Sequence, residues 1–172
     1  MATQLTLILG GIASGKSARA EAMARSTGEP LIYLATAQAG DAEMAEKIKA
    51  HIAARGPGWH TIEAPLDAAG VLHTATPGHT LLFDCATMWL ANHMQAGSDI
   101  EAETETLIAA LKTCPCAVIV VSNELGLGGV PENALARRFA NAQGRLNQQL
   151  AAAADCVELV AAGLPLTLKG EA

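Results

Sequence analysis

The strongest constraint on the fold of this chain is the run Gly10-Gly11-Ile12-Ala13-Ser14-Gly15-Lys16-Ser17, which fits the pattern G-x-x-x-x-G-K-[ST]. An apolar run over residues 5–9 precedes it, and residues rich in Ala, Arg and Glu follow from Lys16 to about Ser26. These patterns predict a buried strand, a glycine-rich loop and a helix in direct succession. Such a loop turns backbone N–H groups inward beneath the positive end of the helix. The sequence therefore predicts a cradle for phosphate groups.

Two side chains at the end of this loop give the cradle its chemistry. Lys16 supplies a positive charge for the β- and γ-phosphates, and the Ser17 hydroxyl is a ligand for Mg²⁺. The ion usually takes a second ligand from a carboxylate on a neighbouring strand. Asp84, at the end of the apolar run 81–83, fits that position, and Glu124, just after the run 117–122, is the alternative. The predicted ligands are thus a nucleoside triphosphate and Mg²⁺.

Strand-like and helix-like patterns alternate along the whole sequence. Short apolar runs predict strands at 5–9, 31–35, 79–85, 117–122, 157–161 and 164–168, with a brief extended piece at 60–63. Helix patterns fall between them, over 16–26, 41–55, 66–74, 89–94, 99–112 and 131–153. This alternation predicts an α/β fold in which a mostly parallel sheet is flanked by helices. No linker or repeat divides residues 1–172, so we expect a single P-loop nucleotide-binding domain.

Local signals predict how some of these helices begin and pack. Ser98 and Glu101 have the spacing of a capping box at a helix start, and Pro131 suits the first turn of the longest helix. Asp41 is an N-cap candidate for the helix over 41–55. An apolar stripe at helical spacing in that segment comprises Met44, Ile48 and Ile52.

The composition excludes several classes of protein. With 172 residues, 51% apolar and 16% charged, the chain can bury a core of its own and is not intrinsically disordered. It has 11 basic and 17 acidic residues, a net charge of −6 and no long basic run, so we expect no nucleic-acid partner. The 4 cysteines form no metal-binding spacing, and no apolar run is long enough to span a bilayer. We therefore expect a cytoplasmic protein with reduced thiols and no membrane span.

His51 is the histidine with the most informative setting. On a helix over 41–55 it lies one turn after Lys47 and one turn before Arg55. Two flanking cations favour the neutral, nucleophilic imidazole and attract phosphate. Such an imidazole can attack an α-phosphorus and carry a covalent nucleotide. Spacing alone leaves an exposed surface histidine as the alternative.

The P-loop pattern alone does not identify the reaction. A GTPase switch would carry the guanine-reading tetrapeptide Asn-Lys-x-Asp, which is absent, since Asn123 is followed by Glu124. Motor and strand-exchange ATPases are generally longer than this chain. What remains is a transferase that moves a phosphoryl or nucleotidyl group to a small molecule.

Further blocks of sequence, spread over nearly the whole chain, carry a family resemblance. They are Tyr33-Leu34-Ala35-Thr36-Ala37-Gln38, Lys47-Ile48-Lys49-Ala50-His51 with Arg55 and Trp59, Thr61-Ile62-Glu63-Ala64-Pro65, Asp84-Cys85-Ala86-Thr87-Met88-Trp89-Leu90 with Asn92, Ser122-Asn123-Glu124-Leu125-Gly126-Leu127-Gly128, and Val130-Pro131-Glu132-Asn133 continuing to Asp155. Together with the P-loop they resemble the bifunctional adenosylcobinamide kinase / adenosylcobinamide-phosphate guanylyltransferase family of cobalamin biosynthesis. Several blocks in one order make this resemblance more specific than the P-loop.

The resemblance implies a RecA-like P-loop fold, a homotrimer and two reactions. ATP or GTP would phosphorylate adenosylcobinamide, and GMP from GTP would then pass to adenosylcobinamide phosphate. The catalytic residues implied are Lys16, at the phosphates, and His51, which matches the histidine that holds GMP as a phosphoramidate. Segments that match GTP contacts comprise the loop residues Gly10, Gly11, Ile12, Ala13, Ser14, Gly15, Lys16 and Ser17, together with Thr36, Ala37, Gln38, Ile52, Ala53, Ala54, Arg55, Glu63 and Asp84. The implied metal ligands are Ser17 and Asp84.

The chain departs from the family pattern at two positions. Ala13 stands where the P-loop usually has an arginine, which removes a phosphate contact. Ala50 stands where some members carry a second histidine, so His51 would act alone. Two other functions stay open at this point: a monofunctional small-metabolite kinase with His51 on its surface, and a non-catalytic nucleotide-binding regulator.

Overall fold

A computed structural model of the chain describes residues 4–38 and 42–170, without the side chains at positions 43, 44, 47, 48, 51 and 54. Its strands are β1 (Leu5–Gly10), β2 (Leu31–Ala35), β3 (Trp59–Glu63), β4 (Thr80–Asp84), β5 (Ala117–Asn123), β6 (Cys156–Ala161) and β7 (Leu164–Lys169). Its helices are α1 (Lys16–Ser26), α2 (Ala42–Arg55), α3 (Ala68–Thr74), α4 (Ala86–Ala96), α5 (Ile100–Thr113) and α6 (Ala134–Ala153). Each predicted strand and helix is present, with ends that differ from the predicted ones by a few residues.

The strands form one seven-stranded sheet in the order β3-β2-β4-β5-β1-β6-β7. Every neighbouring pair is parallel except β6 and β7, so the predicted α/β fold with a mostly parallel sheet is confirmed. β1, which leads into the phosphate loop, lies between β5 and β6, and β5 separates it from β4. The carboxyl ends of the parallel strands meet at one edge of the sheet, where ligands bind in folds of this kind.

Helices cover both faces of the sheet because side chains alternate along strands that are buried on both sides. On one face, Leu7 and Phe83 pack in the larger core with Trp89 of α4. On the other face, Ile8 packs in a smaller core with Ala20 of α1. The small side chain of Ala20 lets α1 lie close to the sheet. This close packing fixes the start of α1 directly after the phosphate loop. Among the described residues, no helix is long and apolar enough to span a bilayer.

The longest helix begins later than the sequence predicts. Pro131 was expected in its first turn, but α6 begins at Ala134. The reason is Asn133, whose side-chain oxygen accepts from the N–H groups of Leu135 at 2.7 Å and Ala136 at 3.2 Å. A carboxamide that satisfies two free N–H groups is a stronger start signal than the fixed backbone of a proline.

The cap of α5 is also one residue away from the predicted position. Asp99, not Ser98, accepts from the N–H groups of Glu101 at 3.1 Å and Ala102 at 3.2 Å. The Ser98 hydroxyl is used elsewhere, in a hydrogen bond of 3.0 Å with Nδ1 of His93 at the end of α4. Competition from His93 explains why the capping-box spacing does not decide this helix start.

The apolar stripe predicted for helix α2 lies mostly outside the described side chains. Of the three predicted stripe residues, Met44 and Ile48 lie outside the described side chains, and Ile52 is 51% exposed. The predicted cap residue Asp41 also lies outside the described residues. Among the α2 side chains that the structure describes, only Arg55 is buried.

Candidate nucleotide-binding site

The phosphate loop leaves β1 at Gly10 and enters α1 at Lys16, as the sequence predicts. A side chain at position 10 would lie 2.8 Å from the carbonyl oxygen of Val160 and would overlap the Ser14 hydroxyl. Gly15 has a φ of 93°, in the left-handed region that glycine adopts without cost. The two glycines thus allow a tight loop whose N–H groups precede the positive end of α1.

The loop is braced from the side of β6. The hairpin turn after β6 places the Gly163 N–H 2.8 Å from the Ser14 carbonyl oxygen, to which it donates. One turn into α1, Arg19 forms two hydrogen bonds of 2.8 and 2.7 Å with Glu158 of β6, whose carboxylate is buried. These contacts hold the loop and the start of α1 in place before any ligand binds.

The Lys16 ammonium lies within the loop itself. Its Nζ donates to the carbonyl oxygen of Gly11 at 3.1 Å. A neutral carbonyl is a weaker partner for an ammonium than a phosphate oxygen is, since charge-assisted hydrogen bonds are roughly twice as strong as neutral ones. The cation is therefore held next to the place where phosphate would bind, in a contact that phosphate can replace.

Asp84 ends β4 on the face of the sheet that α1 covers. The Tyr33 hydroxyl donates to its Oδ2 at 3.0 Å, and its Oδ1 has no hydrogen-bond partner in the described chain. The Ser17 hydroxyl, in the first turn of α1, likewise has no partner among the described residues. A hydroxyl and a carboxylate oxygen, both available, are suitable ligands for Mg²⁺. No group of three or more His, Cys, Asp or Glu side chains in the described chain could hold a metal alone, so the ion would also need phosphate oxygens.

The alternative carboxylate, Glu124, is used within its own loop. Its main-chain N–H donates to the Gly10 carbonyl oxygen at 3.0 Å, and its Oε1 accepts from the Gly126 N–H. This second contact turns the carboxylate back onto the loop that follows β5. Each of the two carboxylates therefore has one oxygen that accepts a hydrogen bond in the described chain. Asp84 stays the predicted metal ligand because it ends β4 on the face of the sheet that α1, the helix of Ser17, covers.

Two protonation states at this edge follow from burial. Burial raises the pKa of Tyr33, and the negative charge of Asp84 adds to the rise although Arg55 opposes it. Burial also raises the pKa of Cys85 to about 11, again with a contribution from Asp84. At neutral pH the phenol therefore stays a hydrogen-bond donor to Asp84. The thiol stays neutral and is not a nucleophile.

The predicted contacts that follow β2 and β3 reach the same edge. Thr36 is buried, and its hydroxyl donates to the Cys85 carbonyl oxygen at 2.8 Å and accepts from the Cys85 N–H at 2.9 Å. The Thr36 side chain therefore ties the end of β2 to the end of β4, and its hydroxyl has no hydrogen left to donate to a phosphate oxygen. Gln38 and Glu63 are exposed and Ala37 is half-buried, so these three residues are accessible from solvent.

Residues 51–55 form the C-terminal part of α2. The His51 side chain lies outside what the structure describes, and Ile52 and Ala53 are exposed. Arg55 is 5% exposed, and its guanidinium lies over an aromatic ring, with the central carbon 3.3 Å from the Tyr33 ring centroid. The structure thus brings Arg55 to the residue that orients Asp84.

Asn123 is a site residue that the sequence analysis did not single out. It is paired with Gly10 across β5 and β1, directly beside the start of the phosphate loop. Its N–H donates to the Thr87 hydroxyl at 2.8 Å, and its carbonyl oxygen accepts from Asn147 at 2.9 Å. Its side-chain oxygen is buried without a partner in the described chain, which is an unusual state that a bound ligand would relieve. The signal in the sequence is a polar residue at the end of an apolar strand.

Solved structures with low sequence identity share this fold. A structure of the ATPase from the type III secretion system of pathogenic bacteria has a TM-score of 0.58 at 11% identity, covering 95% of this chain and 56% of that one. The KaiC-like protein PH0186 from Pyrococcus horikoshii has a TM-score of 0.50 at 12% identity, covering 91% and 70%. At such identities the likeness concerns the P-loop fold alone.

Sequence comparison identifies the family. The model of the family described as cobinamide kinase / cobinamide phosphate guanyltransferase matches residues 6–168. The bifunctional adenosylcobalamin biosynthesis protein CobP of Pseudomonas aeruginosa is 45% identical over 168 residues, which cover 96% of this chain and 97% of that protein. The protein CobU of Escherichia coli, described in the same words, is 38% identical over 181 residues, or 96% and 99% of the two chains. This chain therefore belongs to the cobinamide kinase / cobinamide phosphate guanyltransferase family.

Proposed function

We propose that this protein catalyses two successive transfers at one nucleotide site. In the first, ATP or GTP phosphorylates adenosylcobinamide. In the second, GMP passes from GTP to adenosylcobinamide phosphate, giving adenosylcobinamide-GDP. Membership of the family supports the pair of reactions. The braced phosphate loop, with its ammonium held only by a neutral carbonyl, is the observation that carries the proposal.

The kinase step needs no nucleophile from the protein. The acceptor hydroxyl attacks the γ-phosphorus and the nucleoside diphosphate leaves, while Lys16 neutralises charge that develops on the phosphate oxygens. Ser17 and Asp84 are the residues that would hold Mg²⁺, which supplies further positive charge when bound. Tyr33 orients Asp84 through its hydroxyl, so the carboxylate is in place before the nucleotide arrives.

The guanylyl step uses His51 as a nucleophile. An imidazole nitrogen bonds to the α-phosphorus of GTP, the bond to the β-phosphate oxygen breaks, and pyrophosphate leaves. A phosphate oxygen of the second substrate then attacks the same phosphorus and the phosphorus–nitrogen bond breaks. Dividing the transfer into two displacements lets one site use different acceptors in turn. The position of His51 on α2, four residues before the buried Arg55, supports this role.

The nucleotide contacts we propose are the main chain of the loop 10–17 and the accessible residues Ala37, Gln38 and Glu63. The segment 52–55 would contribute through its main chain and the exposed Ile52 and Ala53. Resemblance to the family also supports a homotrimer, which light scattering from the purified protein tests.

Two labels on GTP distinguish this proposal from its alternatives. GTP radiolabelled at the α-phosphate should leave acid-labile, base-stable label on denatured protein, because a phosphoramidate has that stability. GTP labelled at the γ-phosphate should transfer its label to cobinamide and leave none on the protein. Transfer of γ-label without α-labelling of the protein would indicate a monofunctional kinase. Nucleotide binding with neither outcome would indicate a regulator.

A further inference from the structure

The C-terminal end of α2 is fixed to the sheet by Arg55. Its guanidinium lies 3.3 Å from the Tyr33 ring centroid and 5.9 Å from the Trp59 ring. The main chain there is held as well, because Arg25 donates to the Arg55 carbonyl oxygen and, at 3.5 Å, to that of Pro57. A guanidinium over a desolvated ring is attracted by the negative face of that ring, so this contact stabilises the end of α2.

The remaining described side chains of α2 make few contacts outside the helix. Glu46 and Lys49 pair with each other at 2.9 Å, and both are largely exposed. Ile52 is 51% exposed. Among the described side chains of α2, only Arg55 is buried. Four residues of helix, a rise of about 6 Å, separate Arg55 from His51, so a shift in the seating of Arg55 would move the backbone of His51.

Tyr33 connects the Arg55 contact, called the anchor of α2 below, to the predicted metal carboxylate Asp84. Its ring face seats Arg55, and its hydroxyl donates to Asp84 Oδ2 at 3.0 Å. The two contacts use different parts of one side chain. They can therefore be removed separately by substitution.

We propose that Arg55 is a positioning residue for guanylyl transfer: stacked on Tyr33, it sets the distance from His51 to the α-phosphorus and does not bind the nucleotide through its side chain. This inference rests on the function proposed above. Because Arg55 as a whole is 5% exposed and its guanidinium lies over the Tyr33 ring, the side chain has little surface left for a phosphate group. Transfer of the γ-phosphoryl group does not use His51, so we expect it to depend on Arg55 far less than guanylyl transfer does.

The test is Arg55→Met, with Lys49→Met as a matched control because Lys49 is an exposed cation on the same helix. In Arg55→Met, the rate of α-labelling should fall about 100-fold, which is the loss that a misplacement of about 1 Å can cause. Its Kd for a non-hydrolysable GTP analogue and its rate of cobinamide phosphorylation should stay within about two-fold of wild type. Arg55→Lys should recover part of the labelling, since it keeps a cation over the ring. Lys49→Met should change none of these quantities.

Two substitutions at Tyr33 separate the anchor from the carboxylate. Tyr33→Phe keeps the ring, so α-labelling at saturating Mg²⁺ should be near wild type while both reactions need more Mg²⁺. Tyr33→Leu removes the ring and should also reproduce the labelling defect of Arg55→Met. Thermal unfolding of each variant shows whether it is folded under assay conditions.

Three outcomes for Arg55→Met would overturn the inference without refuting the proposed function. A raised Kd in Arg55→Met, with labelling restored at saturating GTP, would make Arg55 a direct nucleotide ligand. Equal losses of both transfers would make it a general structural residue. Wild-type labelling in Arg55→Met would remove the positioning role and leave the proposed function intact. Absence of labelling in the wild-type protein would instead refute the guanylyl step itself, and this inference with it.

Discussion

Replacing Arg19 by Met removes one half of the ion pair that fastens α1 to β6. The Glu158 carboxylate is 2% exposed and accepts two hydrogen bonds from Arg19, of 2.7 and 2.8 Å. In Arg19→Met the carboxylate stays buried without its partner, and breaking a buried pair in this way costs about 3–5 kcal/mol. Because the Arg19 side chain is 34% exposed and water can reach the site, we expect the lower end, about 3 kcal/mol.

Thermal and urea unfolding, followed by circular dichroism, measure this loss. At about 2–4 °C per kcal/mol for a domain of this size, the Tm of Arg19→Met should fall by about 6–12 °C. The matched control is the double variant Arg19→Met with Glu158→Leu, which buries no unpaired charge. Since apolar residues often replace a buried ion pair without loss, it should recover most of the stability. The reasoning would be wrong if the double variant were as unstable as the single one, or if Arg19→Met lost less than about 0.5 kcal/mol.

Three further substitutions test the nucleotide site. Lys16→Met should slow both transfers by about 100-fold or more with little change in Tm, since among the described residues its ammonium bonds one carbonyl oxygen, at 3.1 Å. Wild-type rates in either assay would contradict a shared cradle. Asp84→Asn should raise the Mg²⁺ concentration needed for half-maximal rate in both transfers. The same shift from Glu124→Gln alone would reassign the metal carboxylate. Asn123→Ala should weaken nucleotide binding by about tenfold, measured by calorimetry beside Asn141→Ala, an exposed asparagine on α6. An unchanged Kd would show that the unpaired oxygen serves no ligand.

Local patterns predict the parts of this fold that depend on neighbours in sequence. Residues 5–9 are apolar except for Thr6, which is typical of a strand such as β1 that is buried on both faces, and no other element suits so short a run before two glycines. The position of the phosphate loop follows from the same residues. The position of Asp84 could be predicted for a similar reason, since it is the carboxylate that ends a buried strand, and its role as a metal ligand stays a prediction.

Contacts between distant segments account for what the sequence did not predict. Pro131 and Asn133 both suit a helix start. The helix begins after Asn133 because its side chain reaches free N–H groups of the first turn. From the sequence around it, Arg55 is predicted to attract phosphate. In the folded chain its guanidinium lies over Tyr33 of β2, a residue that is distant from it in sequence. Thr87 and Asn147 form hydrogen bonds with the main-chain N–H and carbonyl oxygen of Asn123, and both are distant from it in sequence. The side-chain oxygen of Asn123, which has no partner in the described chain, lies among these contacts. None of these contacts can be predicted from the local periodicity of the sequence.

The most direct test of the two-transfer account is to measure both reactions in His51→Ala. The account predicts that this variant binds GTP and phosphorylates cobinamide at a rate within about tenfold of wild type, because γ-phosphoryl transfer needs no enzyme nucleophile. It also predicts that α-labelling of the protein disappears, and that mass spectrometry of the wild-type adduct places GMP on the peptide containing His51. A His51→Ala protein that still carries GMP, for example on Lys47, would contradict the account. So would loss of both transfers in a folded variant.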